Sequence, residues 1–105
     1  MRPALSLLTL DGQVIVMGQL SARLNQSWAK QELGEDAIYW DRDWQFSVEP
    51  GDREWVLIPN PEATNDTLLD GRTVTTETTL AAGMVLSVGS QAKAIQKTQL
   101  TVRFG

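Results

Sequence analysis

The chain has no cysteine and no histidine among its 105 residues. Without cysteine there is no disulfide framework and no thiolate nucleophile, which fits a reducing compartment. Without histidine, Ser-His-Asp triads, Cys-His pairs and the usual zinc sites are excluded. Any catalysis would have to run on carboxylates, lysine, tyrosine or a hydrated magnesium ion, so the chain is read as a non-enzyme that uses no cofactor. A basic run is missing too: nine Lys and Arg are scattered against thirteen Asp and Glu, for a formal charge of −4. Such a surface does not attract phosphate backbones over long range, which argues against nucleic acid as a partner. Long hydrophobic runs are also absent. Ala4 to Leu8 is too short to span a bilayer, is broken by Ser6, and lacks the form of a signal peptide. The expectation is a cytoplasmic protein with no membrane span.

What is present suits a folded domain. The hydrophobic share is 42% and the charged share 21%, and a chain of this length can bury one core without staples. Residues 1–105 are therefore read as one domain. Leu5 to Leu10 and Gln13 to Gly18 flank Asp11-Gly12, a strong short-range hairpin signal. Leu20, Leu24, Trp28 and Leu33 recur near helical spacing before Gly34, so residues 19–33 are either a short amphipathic helix or a long loop pinned by Trp28. From Ala37 the period is two: Ile38 and Trp40 share one face, and Trp44, Phe46 and Val48 share another. Trp55 to Ile58 reads as a buried strand. Pro59 to Thr67 reads as a loop and Asp70-Gly71 as a tight turn, while Met84 to Gly89 and Ala94 to Phe104 read as closing strands. Short strands every eight to twelve residues between Gly, Pro and Asp turns indicate an all-β sandwich or barrel.

Four tryptophans are many for this length. Trp55 sits among apolar neighbours and reads as core. Trp40 and Trp44 flank Asp41-Arg42-Asp43, a placement that suits either edge packing or a partner-facing anchor, since Trp and Arg dominate interface hot spots. Glu35, Asp36, Asp41 and Asp43 have no metal-ligand spacing and read as a charged loop, so no metal is expected.

The run Thr64-Asn65-Asp66-Thr67, Leu69-Asp70-Gly71, Val74, Leu80-Ala81-Ala82-Gly83-Met84 and Leu86-Ser87-Val88-Gly89 resembles the second half of a forkhead-associated (FHA) domain. The match covers about a third of the chain, with Gln99 to Phe104 in the place of the family's last strand. It implies an FHA-like β-sandwich of two twisted, mainly antiparallel sheets, with recognition loops at one end. Members of that family typically bind phosphothreonine peptides. On this resemblance Thr64 matches the position facing the phosphate, Asn65 the asparagine gripping the peptide backbone, and Thr67 a structural threonine. Asp70 stands where a second asparagine usually sits.

The first half departs from the pattern. Gly18-Gln19 stands in place of Gly-Arg, and Asp41-Arg42-Asp43-Trp44 in place of Ser-Arg-x-His. The resemblance therefore implies a protein-interaction module that does not depend on phosphothreonine. The site candidates are Thr64, Asn65, Thr67, Asp70 and Arg42, with Trp40 and Trp44 as partner-facing aromatics. The partner is a protein or peptide, phosphorylated or not. The alternatives are a phosphothreonine-peptide-binding domain in signalling and a scaffold domain of a larger, secretion-type assembly. A chain that stops on a strand also fits a piece of something longer.

Overall fold

A computed structural model describes residues 3–105. Ten strands form among the described residues, the longer ones built on alternating apolar side chains. β1 (Leu5–Thr9) and β2 (Val14–Gly18) form the expected hairpin, and β3 (Ala22–Leu24) leads into helix α1 (Gln26–Leu33). A 3₁₀ turn (Glu35–Tyr39) follows, then β4 (Phe46–Pro50), β5 (Trp55–Pro59), β6 (Asp66–Leu69), β7 (Arg72–Thr73), β8 (Thr78–Thr79), β9 (Val85–Ser90) and β10 (Ile95–Phe104). One sheet has the order β2-β1-β10-β9-β6-β7 and the other β3-β4-β5-β8. Every pairing is antiparallel.

The core lies between the sheets. Leu5 and Leu7 of β1, Leu86 and Val88 of β9, and Leu100 and Val102 of β10 face Phe46 and Val48 of β4 and Trp55 and Leu57 of β5. Alternate residues of each strand supply these side chains, as a period of two requires. Trp55 is fully buried and its indole N–H donates to the Pro3 carbonyl at 2.8 Å.

Residues 19–33 hold both a strand and a helix. The helix starts at Gln26 because Asn25 caps it, its side chain accepting from the Trp28 N–H at 2.9 Å. It ends at Gly34, whose φ of 83° suits a residue without a Cβ. The strand expected through Ile38 and Trp40 is absent: a 3₁₀ turn carries Ile38 outward, 65% exposed, and leaves Trp40 2% exposed. Trp40 is therefore core and not a partner-facing anchor. Its ring lies 5.6 Å from that of Trp28 and 5.2 Å from that of Phe46, tilted against both. Its indole N–H donates to the Thr98 hydroxyl at 2.9 Å.

Thr98 is there because β10 bulges. Lys97 pairs with Val88 and Leu100 with Leu86, so one extra residue stands in β10. Thr98 takes a φ of 54°, costly for a β-branched residue, and its hydroxyl bonds the Lys97 carbonyl while accepting from Trp40.

The β1–β2 turn carries a small electrostatic device. The Thr9 hydroxyl donates to the Asp11 carboxylate, and chiefly this bond, with backbone bonds at Gln13 and Asp11 itself, holds the carboxyl below its usual 3.8 against the opposing effect of desolvation. A depressed folded-state value contributes stability that is present above the unfolded value and lost as pH falls through the folded one. Thr9→Val is expected to return the Asp11 carboxyl toward its ordinary value. A carbon-13 NMR titration of the side-chain carboxyl reads this directly, and an unchanged midpoint would refute it.

Candidate functional site

Two loops and the 3₁₀ turn meet at one end of the sandwich and enclose a pocket of about 610 Å³. Its walls include Tyr39, Asp41, Arg42, Asp43, Thr64 and Asn65. Arg42, Thr64 and Asn65, expected from sequence to belong to one site, thus line one cavity. Arg42 and Thr64 are exposed and Asn65 is half-buried.

The walls are tied together by three amides. Gln45, immediately before β4, is fully buried. Its Oε1 accepts from the Asp41 N–H at 2.8 Å, and its Nε2 donates to the Asn65 carbonyl and to the Thr67 hydroxyl, both at 3.0 Å. Its backbone carbonyl accepts from the Asn60 N–H at 3.0 Å. One side chain therefore locks the Asp41–Asp43 loop to the Thr64–Thr67 loop. Asn65 supplies the second tie, its Nδ2 donating to the Tyr39 carbonyl at 2.8 Å. Gln26 supplies the third, from the helix to the Ile38 and Trp40 carbonyls at 3.4 and 3.3 Å. Inside the first loop, Asp41 accepts from the Asp43 N–H at 2.9 Å, an Asx turn that fixes Arg42 at its tip.

The other candidates sit elsewhere. Thr67 is 4% exposed and its hydroxyl is engaged with Gln45, so it acts in holding the loop. Asp70 and Gly71 have φ values of 51° and 82°, the two left-handed residues of a hairpin turn between β6 and β7. The Asp70 carboxylate accepts from the Val85 N–H at 2.9 Å, outside the pocket. Asp66, whose charge the sequence places beside Asn65, points away: it accepts from the Thr73 hydroxyl and the Gln91 N–H, both at 3.1 Å. Arg23 does not line the pocket, because its guanidinium lies 4.3 Å over the Trp44 ring. Trp44 is half-buried and forms an outer shoulder next to the Asp41–Asp43 loop.

Gln45 is the residue sequence reasoning missed. Placed between Trp44 and Phe46 in an alternating run, it reads as a solvent-facing strand position. No local pattern marks it as a buried hub.

No family model matches the sequence, and no curated protein matches it. Among solved structures, the chain is similar to the FHA domain of an Arabidopsis thaliana hypothetical protein. The TM-score is 0.75 with 19% identity, over 98% of this chain and 86% of that one. It is also similar to a structure described as a structural and functional analysis of phosphothreonine-dependent FHA domain interactions. There the TM-score is 0.70 with 18% identity, over 97% of both chains. The fold is thus the FHA-like β-sandwich. Among the described residues no helix is long and apolar enough to cross a membrane.

Proposed function

We propose that the chain is a protein-interaction module, not an enzyme, that grips a peptide segment at the Arg42–Thr64–Asn65 pocket without needing phosphate. The observation that carries the reading is the pocket's charge. Asp41 and Asp43 share its wall with Arg42, two carboxylates against one guanidinium. A phosphoryl group brings up to two further negative charges, and each like-charge pair a few ångströms apart costs on the order of 1 kcal/mol even in water. The Thr64 hydroxyl and the Asn65 carboxamide suit a neutral peptide backbone instead. Amides locked by Gln45 hold these groups in place before a partner arrives, which lowers the ordering cost of binding.

The second reading is phosphothreonine recognition in signalling. It is favoured by the presence of a guanidinium beside Thr64 and Asn65 in one cavity, and by a structural neighbour described as phosphothreonine-dependent.

Titration with a phosphothreonine peptide library and its unphosphorylated twin separates the two. Equal binding within about threefold, a difference under 1 kcal/mol, is expected. Asn65→Ala should weaken both sets by more than about tenfold. Preference for the phosphorylated set, lost in Arg42→Ala, would establish the second reading, and binding to neither set would overturn both.

A further inference from the structure

The 3₁₀ turn from Glu35 to Tyr39 sets one large apolar side chain at the rim of the pocket. Ile38 is 65% exposed and lines the cavity beside Asp41 and Asp43. A lone exposed isoleucine is ordinary on a protein surface. This one stands at a cavity mouth, on a backbone held from several sides. Its own carbonyl accepts from Gln26, the Tyr39 carbonyl accepts from Asn65, and the Trp40 N–H donates back to the Ala37 carbonyl at 2.9 Å. An apolar group fixed in advance loses little freedom when a partner packs on it, which is what an anchor residue needs.

The charge around Ile38 is lopsided. Gln26 to Trp44, the helix, turn and loop that build one wall, carry five acidic side chains against two basic ones, a net of −3 out of the chain's −4. The rest of the chain has eight against seven. Glu35 precedes Ile38 by three residues, and in a 3₁₀ turn that spacing stacks both side chains on one side. Asp41 and Asp43 follow along the same cavity wall. Glu35, Asp36, Asp41 and Asp43 make no ion pair among the described residues, so their charges are open to a partner. Arg42, at the tip of its loop, opposes this field with a single charge.

We infer that the segment taken by this pocket is basic and carries a large apolar side chain. The apolar group packs on Ile38, and lysine or arginine side chains around it meet Glu35, Asp41 and Asp43. The inference rests on the peptide-binding reading above and names the chemistry of the peptide. Charge complementarity selects the occupant. With three of its four net negative charges gathered on one wall, the chain attracts a cationic segment there and repels an acidic one. The exposed carboxylates act mainly on association and its salt dependence, while the apolar contact holds the complex once formed.

Three unphosphorylated peptide libraries of equal length, read by fluorescence anisotropy on the intact chain, test this. One places Lys and Arg around a fixed Leu, the second Lys and Arg around a fixed Ser, and the third Asp and Glu around a fixed Leu. The first should bind about tenfold more tightly than either of the others. Its association rate should fall as sodium chloride rises from about 50 to 500 mM, because screening shortens the reach of the field. Ile38→Ser should weaken its binding about tenfold, with the melting temperature near the parent's, as suits an exposed side chain. Glu35→Lys should slow association several-fold. Asp52→Lys, the same charge change at the exposed β4–β5 turn, away from the pocket, should leave the rate near the parent's. Equal binding of the first library and either of the others overturns the inference. So does parent-like affinity in Ile38→Ser, or a Glu35→Lys rate no slower than that of Asp52→Lys. In each of those cases, binding still weakened by Asn65→Ala leaves the peptide reading standing. If none of the three libraries binds, that reading falls and the inference falls with it.

Discussion

Trp40→Ala is expected to destabilise the fold by about 4 kcal/mol, within the range seen when a buried aromatic side chain is deleted from a core. Trp40 is 2% exposed, tilts against Trp28 and Phe46, and donates to Thr98. The substitution leaves a cavity where helix α1 meets the sandwich, and it strips the Thr98 hydroxyl of its donor at a backbone conformation that residue adopts reluctantly. For a domain of this size the melting temperature should fall by roughly 20 °C. Trp40→Phe keeps the ring and loses the indole donor, so a smaller loss of about 1–2 kcal/mol is expected. Chemical denaturation with both variants checks the ordering. A partner-facing tryptophan would behave in the opposite way, losing peptide binding with stability intact, and that outcome would return Trp40 to the surface.

The reason Trp40 misleads a reader of the sequence is geometric. Ile38 and Trp40 stand two residues apart, and in a strand that spacing puts both on one face. In a 3₁₀ turn, with three residues per turn, the same spacing sends them in different directions, one into solvent and one into the core. The hairpin at Asp11-Gly12, the turn at Asp70-Gly71 and the stop at Gly34 were legible because each needs a backbone conformation that few residue types adopt cheaply. Thr98 has the same kind of backbone without the residue type that advertises it, so the bulge left no mark in the sequence. In the pocket, Thr64 and Asn65 were singled out by their resemblance to a known loop pattern, whereas Arg42 comes from the half that departs from it. Thr67 and Asp70 came with that pattern, but their side chains are spent on holding the loop and on accepting from the Val85 N–H of β9. Which polar side chain binds a partner and which binds its own chain depends on contacts between distant segments, and residue spacing carries no record of those.

Gln45 shows that dependence most sharply, and replacing it by leucine is the severest test of the site. Leucine fills a similar volume, but it removes the acceptor for the Asp41 N–H and the donor to the Asn65 carbonyl and Thr67 hydroxyl. Each group orphaned in or near the core costs about 1 kcal/mol or more, so a loss of about 3 kcal/mol is expected, with the melting temperature falling by roughly 15 °C. The local effect should exceed the global one. Amides of Asp41, Asp43 and Asn65 should exchange faster and shift in NMR spectra, while those of the β1–β2 hairpin, which makes no hydrogen bond to Gln45 or its partners, keep their native positions. Any peptide held by Arg42, Thr64 and Asn65 should bind more than about tenfold more weakly, although Gln45 does not line the pocket, because positions held rigid in the parent must then be ordered at each binding event. Gln45→Asn separates packing from hydrogen bonding. Its carboxamide is one methylene too short to reach both loops, so it should restore part of the stability and little of the binding. Parent-like affinity in Gln45→Leu, with the fold intact, would mean that the two loops hold their geometry without the amide between them, and the pre-ordered pocket would have to be given up.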